Sequence, residues 1–150
     1  LYARDVLTRV AGAPIIFDVK CSQALPEAIE KAGGIPIMWK TGHSLIEEKM
    51  HEMHSPLAGE MSGHMYFEEG WYGFDDALYG AARLLRIVAD SGKSLHELLA
   101  DVPRFVSTPE IRVDCADDLK FQVVSDAVKY FGARYKTNVV VGVRIEYPDG

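Results

Sequence analysis

The stretch Ile15-Ile16-Phe17-Asp18-Val19 decides the fold that this sequence predicts. It is a compact apolar run of a kind typical of a strand that is covered on both faces of its sheet. A helical segment follows, which ends at Gly33-Gly34, and Ile35-Pro36-Ile37-Met38-Trp39 then repeats the strand pattern. Strand, helix and strand in this order indicate an α/β fold with parallel strands.

Two shorter apolar runs lie on either side of a polar loop. Pro56-Leu57-Ala58 precedes the loop Gly59-Glu60-Met61-Ser62-Gly63-His64, and Met65-Tyr66-Phe67 follows it. Because glycines punctuate the turns between strands, we predict two strands joined by this loop. With the helical segments counted, the sequence predicts an α/β domain of three layers, a mixed sheet of about four strands with helices on both faces.

Other elements are predicted from periodicity and capping residues. Leu1 to Gly12 has helical spacing, and Asp75 or Asp76 caps a long amphipathic helix. The residues predicted to face inward on that long helix are Leu78, Ala81, Ala82, Leu85 and Val88. A short helix is expected to begin at Ser94 and another to end at Gly132.

The remaining segments have the pattern of strands and a turn. Glu110 to Cys115 alternates with period two, which indicates a half-exposed strand at the edge of a sheet. Val139 to Tyr147 is predicted to be a strand, and Pro148-Asp149-Gly150 a turn that feeds a second one.

Composition limits the class of protein. The 150 residues are 48% hydrophobic and 25% charged, which is enough apolar material for one globular core. Acidic residues outnumber basic ones by 22 to 16, and no Lys/Arg run occurs, so a nucleic-acid groove is not expected. We expect Cys21 and Cys115 to be buried, reduced thiols of a cytoplasmic protein, since their spacing fits no metal site.

Polar side chains follow the two long predicted strands where each strand ends. Lys20 follows the first strand, and Lys40 and His43 follow the second. Ser44 to Glu47 has the spacing of a capping box, which would begin a helix whose free N–H groups favour an anion. Lys40, His43 and this helix N-terminus could together hold a phosphate or a ring hydroxyl. The alternative is that Lys40 is solvated and His43 is an ordinary loop residue.

The loop between the short strands offers the chemistry of sugar recognition. Glu60 supplies acceptor oxygens, Ser62 a hydroxyl that donates and accepts, and His64 an imidazole. An ordinary hairpin loop with a capping glutamate is the alternative. Since ligands bind beyond the carboxyl ends of the strands in α/β sheets, we predict one composite site formed by Lys20, His43 and this loop.

A metal site is the less favoured interpretation of the histidines. His51 and His54 are three residues apart with Glu52 between them, whereas the zinc-protease pattern needs histidines four apart. A solvated helix face explains them better. A hydrolase whose metal is held by His43, His51, His54 and His64 remains a third alternative that bound zinc would support.

Four segments together resemble one enzyme family. They are Ile16-Phe17-Asp18-Val19-Lys20-Cys21, Trp39-Lys40-Thr41-Gly42-His43-Ser44-Leu45-Ile46, Gly59-Glu60-Met61-Ser62-Gly63-His64 and Gly73-Phe74-Asp75-Asp76. In this order they resemble the phosphomannomutase/phosphoglucomutase branch of the α-D-phosphohexomutases, and the match is collinear along the whole chain. These enzymes are isomerases in which a phosphoserine passes its phosphoryl group to a hexose 1- or 6-phosphate, and the bisphosphate intermediate then reorients and returns phosphate.

The resemblance implies an arrangement of domains and site residues. Residues 1–13 would end a preceding domain, 14–134 would be the sugar-binding third domain of four, and 135–150 would start the next. Lys20 and His43 match positions that contact substrate phosphate or neighbouring oxygens, and Glu60 and Ser62 match the pair that reads the sugar 3- and 4-hydroxyls. Met61, Gly63 and His64 complete that loop.

The resemblance also implies parts that this sequence does not match: the phosphorylated serine loop, the aspartate-rich loop that holds Mg²⁺, and the basic phosphate-binding loop. Because phosphoryl transfer depends on such parts, we expect the chain to recognise mannose or glucose phosphates and to be inactive alone. The competing hypothesis is a stand-alone, non-catalytic module that binds phosphosugars.

Overall fold

The structure, a computed structural model, describes residues 1–105 and 108–147. It consists of two compact units, Leu1–Arg104 and Phe105–Gly150. The domain boundaries that the sequence predicts after residues 13 and 134 stay predictions.

The first unit contains nine of the helices and strands that the structure describes. In chain order they are α1 (Tyr2–Leu7), β1 (Pro14–Asp18), α2 (Ala24–Lys31), β2 (Ile35–Trp39), α3 (His43–Met53), β3 (Leu57–Gly59), β4 (Met65–Phe67), α4 (Ala77–Ser91) and α5 (Leu95–Leu98). The predicted strands 15–19 and 35–39 and the predicted hairpin on either side of Gly59 to His64 are confirmed.

The four strands form one mixed sheet in the order β2-β1-β3-β4. β1 lies in the middle and pairs in parallel with β2 and with β3, while β3 and β4 pair antiparallel through the loop at residues 60–64. Parallel neighbours need a crossover, and α2 and α3 provide the two crossovers. The carboxyl ends of β1, β2 and β3 therefore meet at the same edge of the sheet.

Alternate residues of the strands fill two separate cores. On one face, Ile15 and Phe17 pack with Leu57 and Phe67 against residues of α1 and α2. On the other face, Ile16 packs with Ala58, Tyr66 and residues of α3. Because side chains of a strand alternate between faces, this arrangement covers the sheet with helices on both sides, and the predicted three-layer α/β fold is confirmed.

The inward face of α4 differs from the prediction. Leu78 and Leu85 are 85% and 71% exposed, whereas Arg83 is only 4% exposed and Gly80 is also buried. The prediction places both leucines on the inward face of the helix. The face is rotated because Arg83 meets two carboxylates: its Nη2 lies 2.6 Å from Glu69 Oε2 and 2.9 Å from Asp5 Oδ2.

Asp5, Glu69 and Arg83 belong to an ion cluster that joins two helices and one loop segment of the first unit. Arg9 donates to the carboxylates of both Asp5 and Glu69, at 2.7 and 2.8 Å. Hydrogen bonds from Arg9 and, to a smaller extent, from Arg83 lower the pKa of Asp5 to about 2, although its partial burial acts to raise this pKa. The pKa of Glu69 is lowered by the same partners. The cluster ties α1 to α4 and to the segment after β4.

The caps of two helices agree with the prediction from the sequence, and the cap of a third helix, α3, does not. Asp76 Oδ1 accepts from the N–H of Tyr79 at the start of α4, and Ser94 and Glu97 form a capping box at the start of α5. The capping box predicted at Ser44 is wrong, since α3 begins at His43 and has Gly42 at its N-cap position. The N–H of Gly42 instead donates to the side chain of Glu60, which lies in another loop.

The second unit contains α6 (Lys120–Gly132), β5 (Lys136–Asn138) and β6 (Arg144–Glu146). The predicted strand from Val139 to Tyr147 is wrong in its bounds, because β5 and β6 form an antiparallel hairpin and residues 139–143 connect them. Asn138 stabilises that connection by accepting from the N–H of Val140. The predicted turn at residues 148–150 lies outside the described residues.

Glu110 to Cys115 is not a strand. Ile111 and Val113 are 78% and 82% exposed, and in the described part of the chain no strand pairs with this segment. Period-two alternation favours a strand only where a neighbouring strand accepts its hydrogen bonds. Cys115 is consequently exposed rather than buried, while Cys21 is half-buried, and both side chains are thiols rather than halves of a disulfide.

None of the helices among residues 1–105 and 108–147 combines the length and the apolar character that crossing a membrane requires.

Candidate functional site

The candidate site lies at the sheet edge where β1, β2 and β3 end. The three loops that leave these strands are residues 19–23, 40–42 and 60–64. The residues predicted to bind substrate lie in these loops or, for His43, at the first residue of α3. This convergence follows from the parallel pairing of the three strands.

A cleft of about 470 Å³ opens at this edge. Four of the predicted residues line it: His43, Glu60, Ser62 and His64. The other lining residues are Thr41, Gly42, Glu47, Phe74 and Asp75. The structure thus brings together residues from two of the strand-end loops and from the segment before α4.

Three predicted residues occupy other positions. Lys20 is exposed after the end of β1 and does not line the cleft. The side chain of Met61 is 67% exposed, and Gly63 has a φ of 97°, which a residue with a side chain rarely adopts. Lys40 is exposed as well, with its Nζ 5.9 Å from the centre of the Trp39 ring. Their contact with a substrate stays a prediction.

Glu60 is held from two sides by the protein. Its Oε1 accepts from the N–H of Gly42 at 2.7 Å, and its Oε2 accepts from the hydroxyl of Tyr66 at 3.2 Å. The residue is only 8% exposed. Glu60 therefore accepts from one of the N–H groups at the N-terminus of α3, where the sequence predicted a capping box at Ser44. Each carboxylate oxygen keeps a second lone pair for a ligand.

Tyr66 supports Glu60 from the core. Its ring is fully buried, and burial, followed by the neighbouring Glu60 carboxylate, raises the pKa of the Tyr66 hydroxyl. The hydroxyl consequently stays protonated at neutral pH and donates a hydrogen bond to Glu60. This orients the carboxylate before any ligand arrives.

His64 has a carboxylate partner that the sequence did not reveal. Its Nδ1 lies 2.6 Å from Asp75 Oδ2, and Asp75 Oδ1 accepts from the N–H of Met65 at 3.2 Å. Asp75 thereby fixes the orientation of an imidazole that is itself half exposed in the cleft. An imidazole held in this way suits hydrogen bonding or proton exchange with a ligand hydroxyl. The sequence offered Asp75 only as a candidate helix cap, and Asp76 takes that role.

Asp18 is the other functional candidate that sequence reasoning missed. It ends β1, is 1% exposed, and accepts hydrogen bonds from the N–H of Met61 and the hydroxyl of Thr41. An aspartate within a fully buried apolar strand is the signal that identifies it, because buried carboxylates need several partners.

His51 in α3 and His54, which follows the helix directly, do not form a metal site with other described residues. The rings of His51 and His54 lie 6.5 Å apart, and within residues 1–105 and 108–147 no group of three His, Cys, Asp or Glu side chains is placed to hold a metal ion.

Comparison with known proteins agrees with this fold. Residues 1–105 match the family model for phosphoglucomutase/phosphomannomutase, alpha/beta/alpha domain III. The chain is 49% identical over its full length to a phosphomannomutase/phosphoglucomutase of Pseudomonas putida and 42% identical to a phosphoglucomutase of Neisseria gonorrhoeae. It covers 33% of each of those proteins, so it spans about a third of their length.

A solved structure is also similar. A crystal structure of a phosphoglucomutase/phosphomannomutase family protein from Burkholderia thailandensis superposes with a TM-score of 0.85 at 45% identity, over 98% of this chain and 31% of that one. Sequence and fold agree with the resemblance noted above. The chain therefore belongs to the phosphoglucomutase/phosphomannomutase family, and it carries domain III of that family.

Proposed function

We propose that this chain supplies the sugar-recognition surface of a phosphohexomutase that interconverts hexose 1-phosphate and hexose 6-phosphate of mannose or glucose. The observation that carries the proposal is the convergence of His43, Glu60, Ser62 and His64 on one cleft at the carboxyl edge of the sheet. Membership of the family supplies the reaction class.

The chemistry of the cleft fits a sugar ring. Vicinal hydroxyls present both donors and acceptors, and Glu60 and Ser62 offer matching groups two residues apart in one loop. His43 begins α3, so an oxygen of the substrate would meet both an imidazole and the positive end of a helix. We assign Glu60 and Ser62 to the 3- and 4-hydroxyls, and His43 with Lys20 to the phosphate or its neighbouring oxygens.

The phosphoryl transfer itself belongs to the longer enzyme. In the proposed reaction, an enzyme phosphoserine gives its phosphoryl group to the free hydroxyl of the hexose phosphate. The bisphosphate then turns over in the cleft and returns the other phosphoryl group to the serine. The described residues offer no cluster of metal ligands, so we assign no magnesium ligand to them and give this chain only substrate binding.

The substitution Glu60→Ala in the intact mutase tests the assignment. Removal of a charged hydrogen-bonding partner costs about 1.5–3 kcal/mol, so we expect kcat/KM for both mannose and glucose phosphates to fall roughly 10- to 100-fold, with a higher KM. Steady-state kinetics measure both constants. Glu48→Ala, which removes an exposed carboxylate from α3, is the matched control and should leave them unchanged.

Glu60 also supports α3, and a second variant separates that role from ligand binding. Ser62 is exposed and lines the cleft, so Ser62→Ala removes a hydroxyl without disturbing a helix. We expect a loss of about 3- to 10-fold in kcat/KM with an unchanged melting temperature. Wild-type kinetics for both variants would refute the proposed function.

A further inference from the structure

Asp18 lies beneath the candidate site, where it contacts all three strand-end loops. Its Oδ1 is 3.1 Å from the backbone nitrogen of Met61 and 3.0 Å from Cys21 Sγ, and its Oδ2 is 3.0 Å from Thr41 Oγ1. The three partners donate and the carboxylate accepts. One side chain thus links the loops that follow β1, β2 and β3.

Each of these loops leads to a residue assigned to the substrate. Cys21 follows Lys20 directly, and Thr41 lies two residues before His43. The link to the third loop is the most direct, because the Met61 amide lies between Glu60 and Ser62, the two residues assigned to the sugar hydroxyls. A fixed position for this amide constrains the backbone of both neighbours.

Asp18 itself is out of reach of a ligand. It is 1% exposed, and it is not among the residues that line the cleft. Any effect of Asp18 on substrate must therefore pass through the loops that it holds.

We propose that Asp18 is a positioning residue for substrate recognition, which fixes the relative placement of the three loops through hydrogen bonds to Met61, Thr41 and Cys21. This inference rests on the proposed function of the cleft. Without Asp18 the loops would adopt several arrangements, and only a fraction would match the sugar. The apparent affinity for the sugar is then reduced to that fraction of its wild-type value, whereas the bound complex, once formed, is the same.

Two variants of Asp18 in the intact mutase test the proposal. Asp18→Ala removes every acceptor, so KM for hexose phosphates should rise at least about 5-fold while kcat changes less than KM. Asp18→Asn keeps the shape and the bonds, since its carbonyl oxygen accepts from Met61 and Cys21 and its amide donates to the Thr41 hydroxyl. Asp18→Asn should therefore restore KM to within about 2-fold of wild type.

A readout without substrate accompanies the kinetics. Hydrogen exchange of the Met61 amide should speed up in Asp18→Ala and stay near wild type in Asp18→Asn, because the amide is protected only while an acceptor is present. If Asp18→Ala does not fold, Cys21→Ala and Cys21→Ser provide a similar contrast in KM, since the serine keeps a donor to Asp18, the alanine does not, and residue 21 does not line the cleft.

The results distinguish a failure of the Asp18 positioning role from a failure of the proposed function of the cleft. An unchanged KM in Asp18→Ala, or an Asp18→Asn enzyme as impaired as Asp18→Ala, would overturn the positioning role. If Glu60→Ala and Ser62→Ala both leave the kinetics unchanged in the same assay, the proposed function fails instead. A raised KM in Glu60→Ala together with a normal Asp18→Ala enzyme refutes the positioning inference alone.

Discussion

Gly34 and Gly80 show how differently one substitution acts at two positions of the first unit. A Cβ built on Gly34 would lie 2.7 Å from Leu7 Cδ1 and 3.0 Å from Ile29 Cγ2, whereas on Gly80 the nearest atom would be Met65 Cβ at 3.7 Å. Leu7 and Ile29 are buried and have little room to move. The first position leaves no room for a methyl group, whereas the second accommodates one in ordinary van der Waals contact.

We therefore expect opposite effects on stability from the two alanine variants. Gly34→Ala should lower the free energy of unfolding by about 1–3 kcal/mol through overpacking. Gly80→Ala, inside α4, should raise it by about 0.5–1 kcal/mol because alanine loses less backbone entropy in a helix. Both tryptophans, Trp39 and Trp71, lie in this unit, so urea unfolding followed by tryptophan fluorescence measures each change. Equal effects of the two variants would contradict this reasoning.

Single residues also show where the sequence was informative about the site. His43, Glu60, Ser62 and His64 were predicted as a group, and they line one cleft. Asp18 and Asp75 were not assigned to it. Their roles consist of hydrogen bonds to backbone amides and to side chains far along the chain, and such partners have no sequence pattern of their own.

At the scale of elements, the ion cluster that joins α1 to α4 predicts a dependence of stability on pH. The pKa of Asp5 falls from its ordinary 3.8 to about 2 in the folded state. A lowered pKa stabilises the fold above pH 4, and this contribution is lost as pH falls from about 4 through about 2. The difference between the two values corresponds to about 2 kcal/mol.

Comparison of Asp5→Asn with wild type measures this contribution. At pH 7 the variant should unfold more easily by about 2 kcal/mol, and the difference should shrink to near zero as pH approaches 2. Urea unfolding at a series of pH values gives the curve. Asp90→Asn, which changes an exposed aspartate of α4, is the control and should differ little from wild type at any pH. A difference that does not vary with pH would exclude the carboxylate as its source.

Elements with a clear period and a nearby partner were predicted well. β1, β2 and the hairpin of β3 and β4 were recognised because apolar runs and glycines mark them. The face of α4 was not, since hydropathy places arginine outside and Arg83 is buried by its carboxylate partners. Glu110 to Cys115 failed for a related reason, because periodicity carries no information about whether a partner strand exists.

At the scale of the whole molecule, the predicted convergence of three loops follows from topology rather than from any single motif. Two parallel pairings about β1 bring distant segments to one edge. The alternation of strands and helices that produces parallel pairing can be anticipated from the sequence. What the sequence cannot supply is the distance between individual groups. Lys20 illustrates this limit, since it lies beyond the predicted strand end yet does not line the cleft.

Binding of glucose 6-phosphate by the isolated 150-residue chain distinguishes a mutase domain from a stand-alone binding module. Since we propose that this cleft forms only one part of the wall around the sugar, the isolated chain should bind glucose 6-phosphate with a Kd weaker than about 1 mM. Isothermal titration calorimetry measures this constant, with the Glu60→Ala chain as the control. Micromolar binding that Glu60→Ala abolishes would favour the stand-alone module.

The double engagement of Glu60 bears on how sugar preference can change in this family. The carboxylate that accepts from the N–H of Gly42 at the N-terminus of α3 is also the one proposed to bind the ligand, so a substitution at position 60 alters both the helix N-terminus and the specificity. Ser62 does not support a helix in this way, and it is exposed to solvent. Directed evolution toward other hexoses should therefore accept replacements at Ser62 long before it accepts any at Glu60.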